Sequence, residues 1–185
     1  MSAPSVLKVA KHGGNPVLQT IGFISQICGF LSAGMIIAAV CITCQMIFVR
    51  FVLNHSTIWQ TEAVVYLVVA ATLIGLPYVQ KLRGHVNVDL LALMLPLALR
   101  KVLAIVTLSA GMLVVMIMLF YGFEMWHTAW ARGWTSDTVW GVRLWIPYLA
   151  VPIGFLFYLL QLGADMYATI VNIESPFSID EGETL

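Results

Sequence analysis

Long uncharged stretches separated by short polar segments dominate the chain. Four stretches qualify as membrane spans, at about residues 21–49, 62–80, 102–123 and 144–171. A helix needs roughly 20 mostly apolar residues to cross a bilayer, where its backbone groups can bond only to one another. The pattern therefore predicts an all-α integral membrane protein, with four transmembrane helices in one membrane domain.

Composition leads to the same class. Hydrophobic residues make up 61% of the 185 residues and charged residues 10%, whereas charged residues are about a quarter of a soluble domain. The first stretch is unusually long, because no formally charged residue lies between Lys11 and Arg50. We expect its helix to tilt or to project beyond the lipid. No nucleic-acid signature is present.

Two segments outside the spans have their own character. Residues 86–99 are mostly apolar but too short to span, which favours a helix lying in the membrane interface between the second and third spans. A re-entrant or buried packing helix is the alternative. Residues 172–185 are acidic and contain Pro176 and Gly182, as is typical of a short disordered tail.

The basic residues predict the orientation, because they favour cytoplasmic loops. Six lie in the N-terminal tail and the central loop: Lys8, Lys11, Lys81, Arg83, Arg100 and Lys101. Only Arg50, Arg132 and Arg143 lie in the other two loops. Both termini are therefore predicted to be cytoplasmic.

All tryptophans fall at the two loops assigned to the outer side: Trp59, Trp126, Trp130, Trp134, Trp140 and Trp145. One interpretation is an aromatic belt at the headgroup layer. The other is a docking surface for a partner protein, since tryptophan is favoured as an interface anchor. Belts usually occur on both faces of a membrane protein, so the one-sided distribution keeps the docking interpretation open beside the belt.

Small residues recur at intervals of four along the spans. The ladders are Ser25, Gly29 and Ala33; Ala71 and Gly75; and Ala150 and Gly154. Small side chains let helix backbones approach closely in lipid, where packing drives association. These positions predict helix contacts without naming the partner helix.

Charged residues at the edges of the spans raise the question of pairing. Arg50 ends the first span and Glu62 begins the second, so the short hairpin between them favours an ion pair. A transport role for Glu62 is disfavoured, because transport sites gather polar groups at the midplane and these spans have almost none. Asp165, near the cytoplasmic end of the fourth span, is the nearest exception.

The cysteines and the histidines raise two redox alternatives. Cys41 and Cys44 form a C-x-x-C motif, but burial in lipid suppresses thiol reactivity, and residues 124–143 lack a second cysteine pair, so packing roles are favoured. A haem-bearing membrane anchor needs histidines on facing helices. Only His55 and His127 share a side, and neither lies clearly on a helix within the lipid.

One ordered set of residues resembles a known family. It comprises Arg50-Phe51, Trp59-x-x-Glu62-x-x-x-Tyr66, Gly75, and Arg83-Gly84-His85-Val86-x-Val88-Asp89 with Pro96 and Arg100 after it. This order is similar to that of the small membrane subunit, also called the Q or DctQ subunit, of tripartite ATP-independent periplasmic (TRAP) transporters. The resemblance covers about residues 20–170. Thr61, Ala63 and Pro77 depart from the usual pattern around the glutamate and the glycine.

The resemblance implies a non-enzymatic scaffold in the bacterial inner membrane. It would pair with a larger membrane subunit that holds the substrate and sodium sites, while a periplasmic binding protein delivers an organic acid. No cofactor or metal is expected in this chain. The main alternative is a haem or quinone anchor of a respiratory enzyme.

The resemblance also assigns roles to the candidate residues. Arg83, His85 and Asp89 would organise the turn into the interfacial helix, although simple capping by Gly84 and Asp89 explains part of the same pattern. Trp59 belongs to the motif, and Arg50 and Glu62 would tie the outer hairpin. Four tryptophans would face the binding protein: Trp126, Trp130, Trp134 and Trp140.

Overall fold

The structure is a computed structural model, and it describes residues 16–82 and 97–171. The predicted acidic tail, most of the predicted interfacial helix and the candidates Arg83, His85 and Asp89 lie outside these residues. Residues 97–99, which were predicted to end the interfacial helix, are already part of the helix that forms the third span.

Five helices make up the described chain: α1 (Pro16–Phe51), α2 (Gln60–Lys81), α3 (Leu97–Ala131), α4 (Trp145–Tyr148) and α5 (Ala150–Ile170). The short α4 leads directly into α5, and together they form one apolar stretch, Trp145–Ile170. Four stretches are long and apolar enough to cross a membrane. The predicted fold class, an all-α membrane protein with four transmembrane helices, is confirmed.

The third span departs most from its predicted boundaries. It was predicted to end at residue 123, where Glu124 follows, but α3 continues to Ala131. Glu124 and His127 are exposed on this helix, so their polar groups are not buried against another helix and do not stop it. Hydropathy detects where the apolar run ends, whereas the helix ends only where the backbone turns.

The lengths of α1 and α3 exceed the thickness of a bilayer. α1 has 36 residues and α3 has 35, which correspond to about 54 Å and about 52 Å of helix. The hydrocarbon core is about 30 Å thick. Both helices therefore extend past the lipid or tilt strongly, as expected for the first span from its sequence.

The helices pack as an open row in the order α1, α2, α5, α3. α2 lies between α1 and α5, and α5 lies between α2 and α3, with only a minor contact between α1 and α5. The outermost helices consequently expose many large apolar side chains, among them Phe30, Ile37, Leu113 and Phe120. The inner helix α5 has the most extensive buried face.

Small residues set the spacing within the row, as their ladders predicted. A Cβ added to Gly154 on α5 would lie 2.7 Å from the carbonyl oxygen of Leu73 on α2. A Cβ on Gly75 would lie 2.9 Å from Oγ of Ser32 on α1. Both gaps are shorter than van der Waals contact, so these helices approach closely because the side chains are absent.

The ladder on α1 is only partly used. A Cβ on Gly29 would overlap the ring of Tyr78, and Ser25 is buried, but Ala33 is exposed. The contact instead continues through Ser32, whose Oγ donates a 2.7 Å hydrogen bond to the carbonyl oxygen of Ala71. The partner helix is thus α2 for most of this face.

Candidate functional site

The connection between α3 and α4, residues 132–144, is a compact hairpin that we call the 132–144 loop. Its start is set by Gly133, whose φ of +61° ends α3 in a glycine C-cap. Two hydrogen bonds complete the cap, from Gly133 N to Trp130 O (3.1 Å) and from Trp134 N to Ala129 O (3.0 Å). This is the Schellman pattern, in which the last carbonyls of a helix find donors just beyond its end.

Backbone bonds then hold the two arms of the loop together. Thr135 and Arg143 form an antiparallel bridge, and Ser136 N donates to the carbonyl oxygen of Val142 at 2.8 Å. Gly141, with φ +60°, closes the turn through a bond from its N–H to Thr138 O (3.0 Å). The loop therefore has a defined conformation despite lacking a regular strand.

Glu62 is the centre of the contact between this loop and the helices. Its carboxylate accepts hydrogen bonds from the hydroxyls of Tyr66 (2.5 Å) and Thr138 (2.5 Å) and from Ser136. Tyr66 lies one turn further along α2, whereas Ser136 and Thr138 belong to the loop. We call these four residues the Glu62 site. A carboxylate is acceptor-only, and three hydroxyl donors satisfy most of its capacity.

The position of Glu62 also suits its charge. It lies in the first turn of α2, where the free backbone N–H groups create a partial positive charge that favours an anion. The side chain is half-buried and points to the hydroxyl-rich segment of the loop. Chemically, the site is a clamp that joins two segments distant in sequence.

A second contact lies beside the first. The rings of Trp59, directly before α2, and Trp140, in the loop, have centroids 6.1 Å apart and are inclined at 51°. Such a tilted pair is a favourable aromatic geometry. The structure thus brings three predicted site residues, Trp59, Glu62 and Trp140, to one place. Trp134 lies instead at the base of the loop, where its carbonyl oxygen accepts a bond from Leu144 N at 2.9 Å.

The predicted ion pair between Arg50 and Glu62 is wrong. Arg50 Nε donates to Oγ1 of Thr57 at 2.6 Å, within the short connection between α1 and α2. Asn54, with φ +50°, reverses the chain there. Each charged group has a hydroxyl partner. Ser136 and Thr138 of the 132–144 loop bind the Glu62 carboxylate, for which Arg50 was the expected partner.

The remaining predicted tryptophans lie on helices. Trp126 and Trp130 belong to the last turns of α3, with ring centroids 5.2 Å apart. Trp130 stacks in turn on Trp145 at the start of α4, at 6.1 Å and 28°. They were predicted to lie in a loop, which is wrong because α3 is longer than expected. All six tryptophans nevertheless lie at the same end of the helix row.

Sequence reasoning missed a second polar cluster at the other end of the row. Gln161 on α5 is fully buried; its Oε1 accepts a bond from Ser25 Oγ (2.7 Å), and its Nε2 donates to Asp165 Oδ1 (2.9 Å). The other carboxylate oxygen of Asp165 accepts from Gln80 Nε2 at 2.8 Å. We call these four residues the Gln161 network.

The Gln161 network joins α1, α2 and α5. It was overlooked because Ser25 was considered only as a small packing residue and the interior was expected to be almost free of polar groups. The spacing of Gln161 and Asp165, four residues apart on an apolar helix, was the available signal. The network and the Glu62 site lie near opposite ends of α2, from residue 62 to residue 80, or about 27 Å apart along its axis.

Among the residues that the structure describes, the cysteines and histidines do not gather into a centre. The three cysteines, all within the described residues, are free; Cys28 is buried, but Cys41 and Cys44 are exposed, so their predicted packing role is not fulfilled within this chain. His127 stacks on Phe123 at 6.3 Å and 19°. In residues 16–82 and 97–171, no group of three or more His, Cys, Asp or Glu residues is arranged to hold a metal ion.

Comparison with known proteins shows to which family the chain is similar. Residues 39–172 match the family model described as tripartite ATP-independent periplasmic transporters, DctQ component. The chain is also 24% identical, over 176 residues, to the C4-dicarboxylate TRAP transporter small permease protein DctQ of Vibrio cholerae. That alignment covers 83% of this chain and 76% of the relative.

The matched region includes the Glu62 site, the 132–144 loop and most of the Gln161 network, with Ser25 outside it. It extends from the second half of α1 to the end of α5, and so includes most of the membrane-spanning structure. The chain therefore belongs to the DctQ component family of the tripartite ATP-independent periplasmic transporters.

Proposed function

We propose that this small TRAP subunit is a scaffold that pairs with a larger membrane subunit, in which substrate and sodium bind. On this proposal the pair takes up an organic acid, driven by a sodium gradient, after a periplasmic binding protein has delivered it. The name of the Vibrio cholerae relative, a C4-dicarboxylate TRAP transporter protein, supports an organic acid as the class of substrate.

The main support for the scaffold role is that the carboxylates of Glu62 and Asp165 are both engaged in hydrogen bonds within the chain. Glu62 accepts three hydroxyl bonds, and both oxygens of Asp165 accept amide bonds. All of these donors belong to the chain itself. A substrate or ion pathway needs polar groups that are open to the passing solute, whereas these groups hold neighbouring elements together.

The open row of helices supports the same role. A row exposes both of its broad faces, and α1 and α3 at its ends carry large apolar side chains outward. Such a shape suits a small subunit that packs beside a larger one and widens the part of the complex that is fixed in the membrane. Part of these apolar surfaces would contact the large subunit and the rest would contact lipid. Apolar side chains suit both, because helices in a membrane associate through close packing.

We place the 132–144 loop on the periplasmic side of the inner membrane and both termini in the cytoplasm. The distribution of basic residues supports this orientation, because they favour cytoplasmic loops. The Glu62 site and all six tryptophans then lie on the side where the binding protein arrives.

Co-purification is the first test. The tagged chain, extracted in mild detergent, is expected to bring with it a many-span membrane protein in about equal amount, identified by mass spectrometry. The purified pair in liposomes is then expected to take up a labelled organic acid only when an inward sodium gradient and the substrate-loaded binding protein are both present.

Other results would contradict the proposal. Recovery of a flavin or iron–sulfur subunit, together with a strong visible absorption band, would indicate the haem-anchor alternative. Uptake that proceeds equally without a sodium gradient would contradict the proposed sodium coupling. The family assignment would be unchanged.

A further inference from the structure

The 132–144 loop presents an unusual tip. Val139 is 87% exposed and Trp140 is 41% exposed, and the neighbouring Asp137 and Thr138 are exposed as well. Insertion of this tip into lipid would bury the Asp137 carboxylate, which is costly. A protein surface accommodates such a mixture better, since interfaces combine an apolar centre with a polar rim.

The tip is held from below by α2. Two of the three hydroxyls on the Glu62 carboxylate come from Ser136 and Thr138, which lie three positions and one position before Val139. The Trp59 ring supports Trp140 on the other side of the tip. Without the carboxylate, the loop would lose its hydroxyl attachment to α2, and its own backbone bonds would still form but open more often.

We infer that Glu62 is a positioning residue, whose carboxylate presets the Val139–Trp140 tip for docking of the periplasmic binding protein. The inference rests on the proposed function, which supplies the partner. Its physical basis is preorganisation: a loop already held in its bound conformation loses less conformational entropy when the partner binds.

The experiment uses the full complex in liposomes, with uptake measured over a range of concentrations of substrate-loaded binding protein. Glu62→Ala is expected to raise the half-saturating concentration about fivefold, within the range of single interface contacts, and to leave the maximal rate unchanged. Glu62→Gln is expected to recover part of the loss, because hydroxyl groups can accept as well as donate.

Two further variants sharpen the test. Ser136→Ala combined with Thr138→Val removes the two bonds between Glu62 and the loop and leaves α2 and the Tyr66 bond intact. It is expected to reproduce the effect of Glu62→Ala even if that variant assembles poorly. Glu124→Gln is the matched control: it removes an exposed carboxylate at the same end of the row and is expected to change nothing.

Hydrogen exchange separates positioning from a general loss of structure. The Ser136 amide, bonded to Val142 O, is expected to exchange faster in Glu62→Ala, while amides in the middle of α5 stay protected. An unchanged half-saturating concentration, or unchanged exchange of the loop, would overturn the inference. Wild-type uptake that is independent of the binding protein would instead overturn the proposed function.

Discussion

Ser25 Oγ donates a 2.7 Å hydrogen bond to Oε1 of Gln161, 136 positions further along the chain. The bond joins the first and last transmembrane helices, and both side chains are buried. In the bilayer core no water is available to bond an unpaired amide, so leaving it unpaired is costly. The bond therefore favours the one register of the two helices in which Ser25 and Gln161 meet. The Gln161 network extends it to α2 through Asp165 and Gln80.

Loss of the Ser25 hydroxyl is expected to weaken the helix row modestly. Ser25→Ala leaves Gln161 Oε1 without its donor, and interhelical bonds in membranes contribute about 0.6 kcal/mol on average and about 1.7 kcal/mol at most. Unfolding in mixed detergent micelles measures the change. Ser109→Ala is the control, because Ser109 is exposed and its hydroxyl donates a long bond to Met166 Sδ at 3.9 Å. Equal stability of the two variants would contradict the structural role of the bond.

The close approach of α2 and α5 predicts a strong contrast between two glycines on one helix. Gly154→Ala places a Cβ 2.7 Å from the Leu73 carbonyl oxygen and is expected to destabilise the protein by about 1–3 kcal/mol, as overpacking does. In Gly163→Ala the new Cβ meets nothing within 4 Å, so stability should hold or rise slightly. The same detergent unfolding assay compares them; two similar losses would disprove this packing.

The contact between Trp59 and Trp140 is expected to appear as a coupling energy. Single alanine substitutions and the double substitution form a double-mutant cycle, for which an aromatic pair gives about 0.5–1.5 kcal/mol. Protection of the loop amides against hydrogen exchange is the readout. A parallel cycle of Trp59 with Trp130, which stacks on Trp145 instead, is expected to be additive. Additivity of Trp59→Ala and Trp140→Ala in the first cycle would contradict the contact between the two rings.

Arg50 and Glu62 are expected to act independently. Arg50 bonds to Thr57 and Glu62 to the 132–144 loop, so the shifts in melting temperature caused by Arg50→Ala and Glu62→Ala should add in the double variant. Arg50→Ala and Thr57→Val, by contrast, should not add. A clear coupling between Arg50 and Glu62 would restore the ion pair that the sequence favoured.

The sequence by itself determined the class of protein and the number of spans. These follow from the length and hydropathy of each stretch, since transfer into lipid depends mainly on the residues of that stretch alone. The small-residue ladders were informative for a similar reason: glycine at the surface of a membrane helix permits close packing whatever the neighbour. The ordered residues from Arg50 to Arg100 also led to the correct family.

Tertiary structure decided which groups meet. Glu62 and its loop partners are separated by 74 and 76 positions, and Gln80 and Asp165 by 85. No local pattern specifies such pairs, because they depend on the order of the helices in the row and on where α3 ends. That end is fixed by the backbone geometry at Gly133 rather than by the charge of Glu124. The short hairpin favoured Arg50 as the partner of Glu62, but the folded chain brings hydroxyls closer.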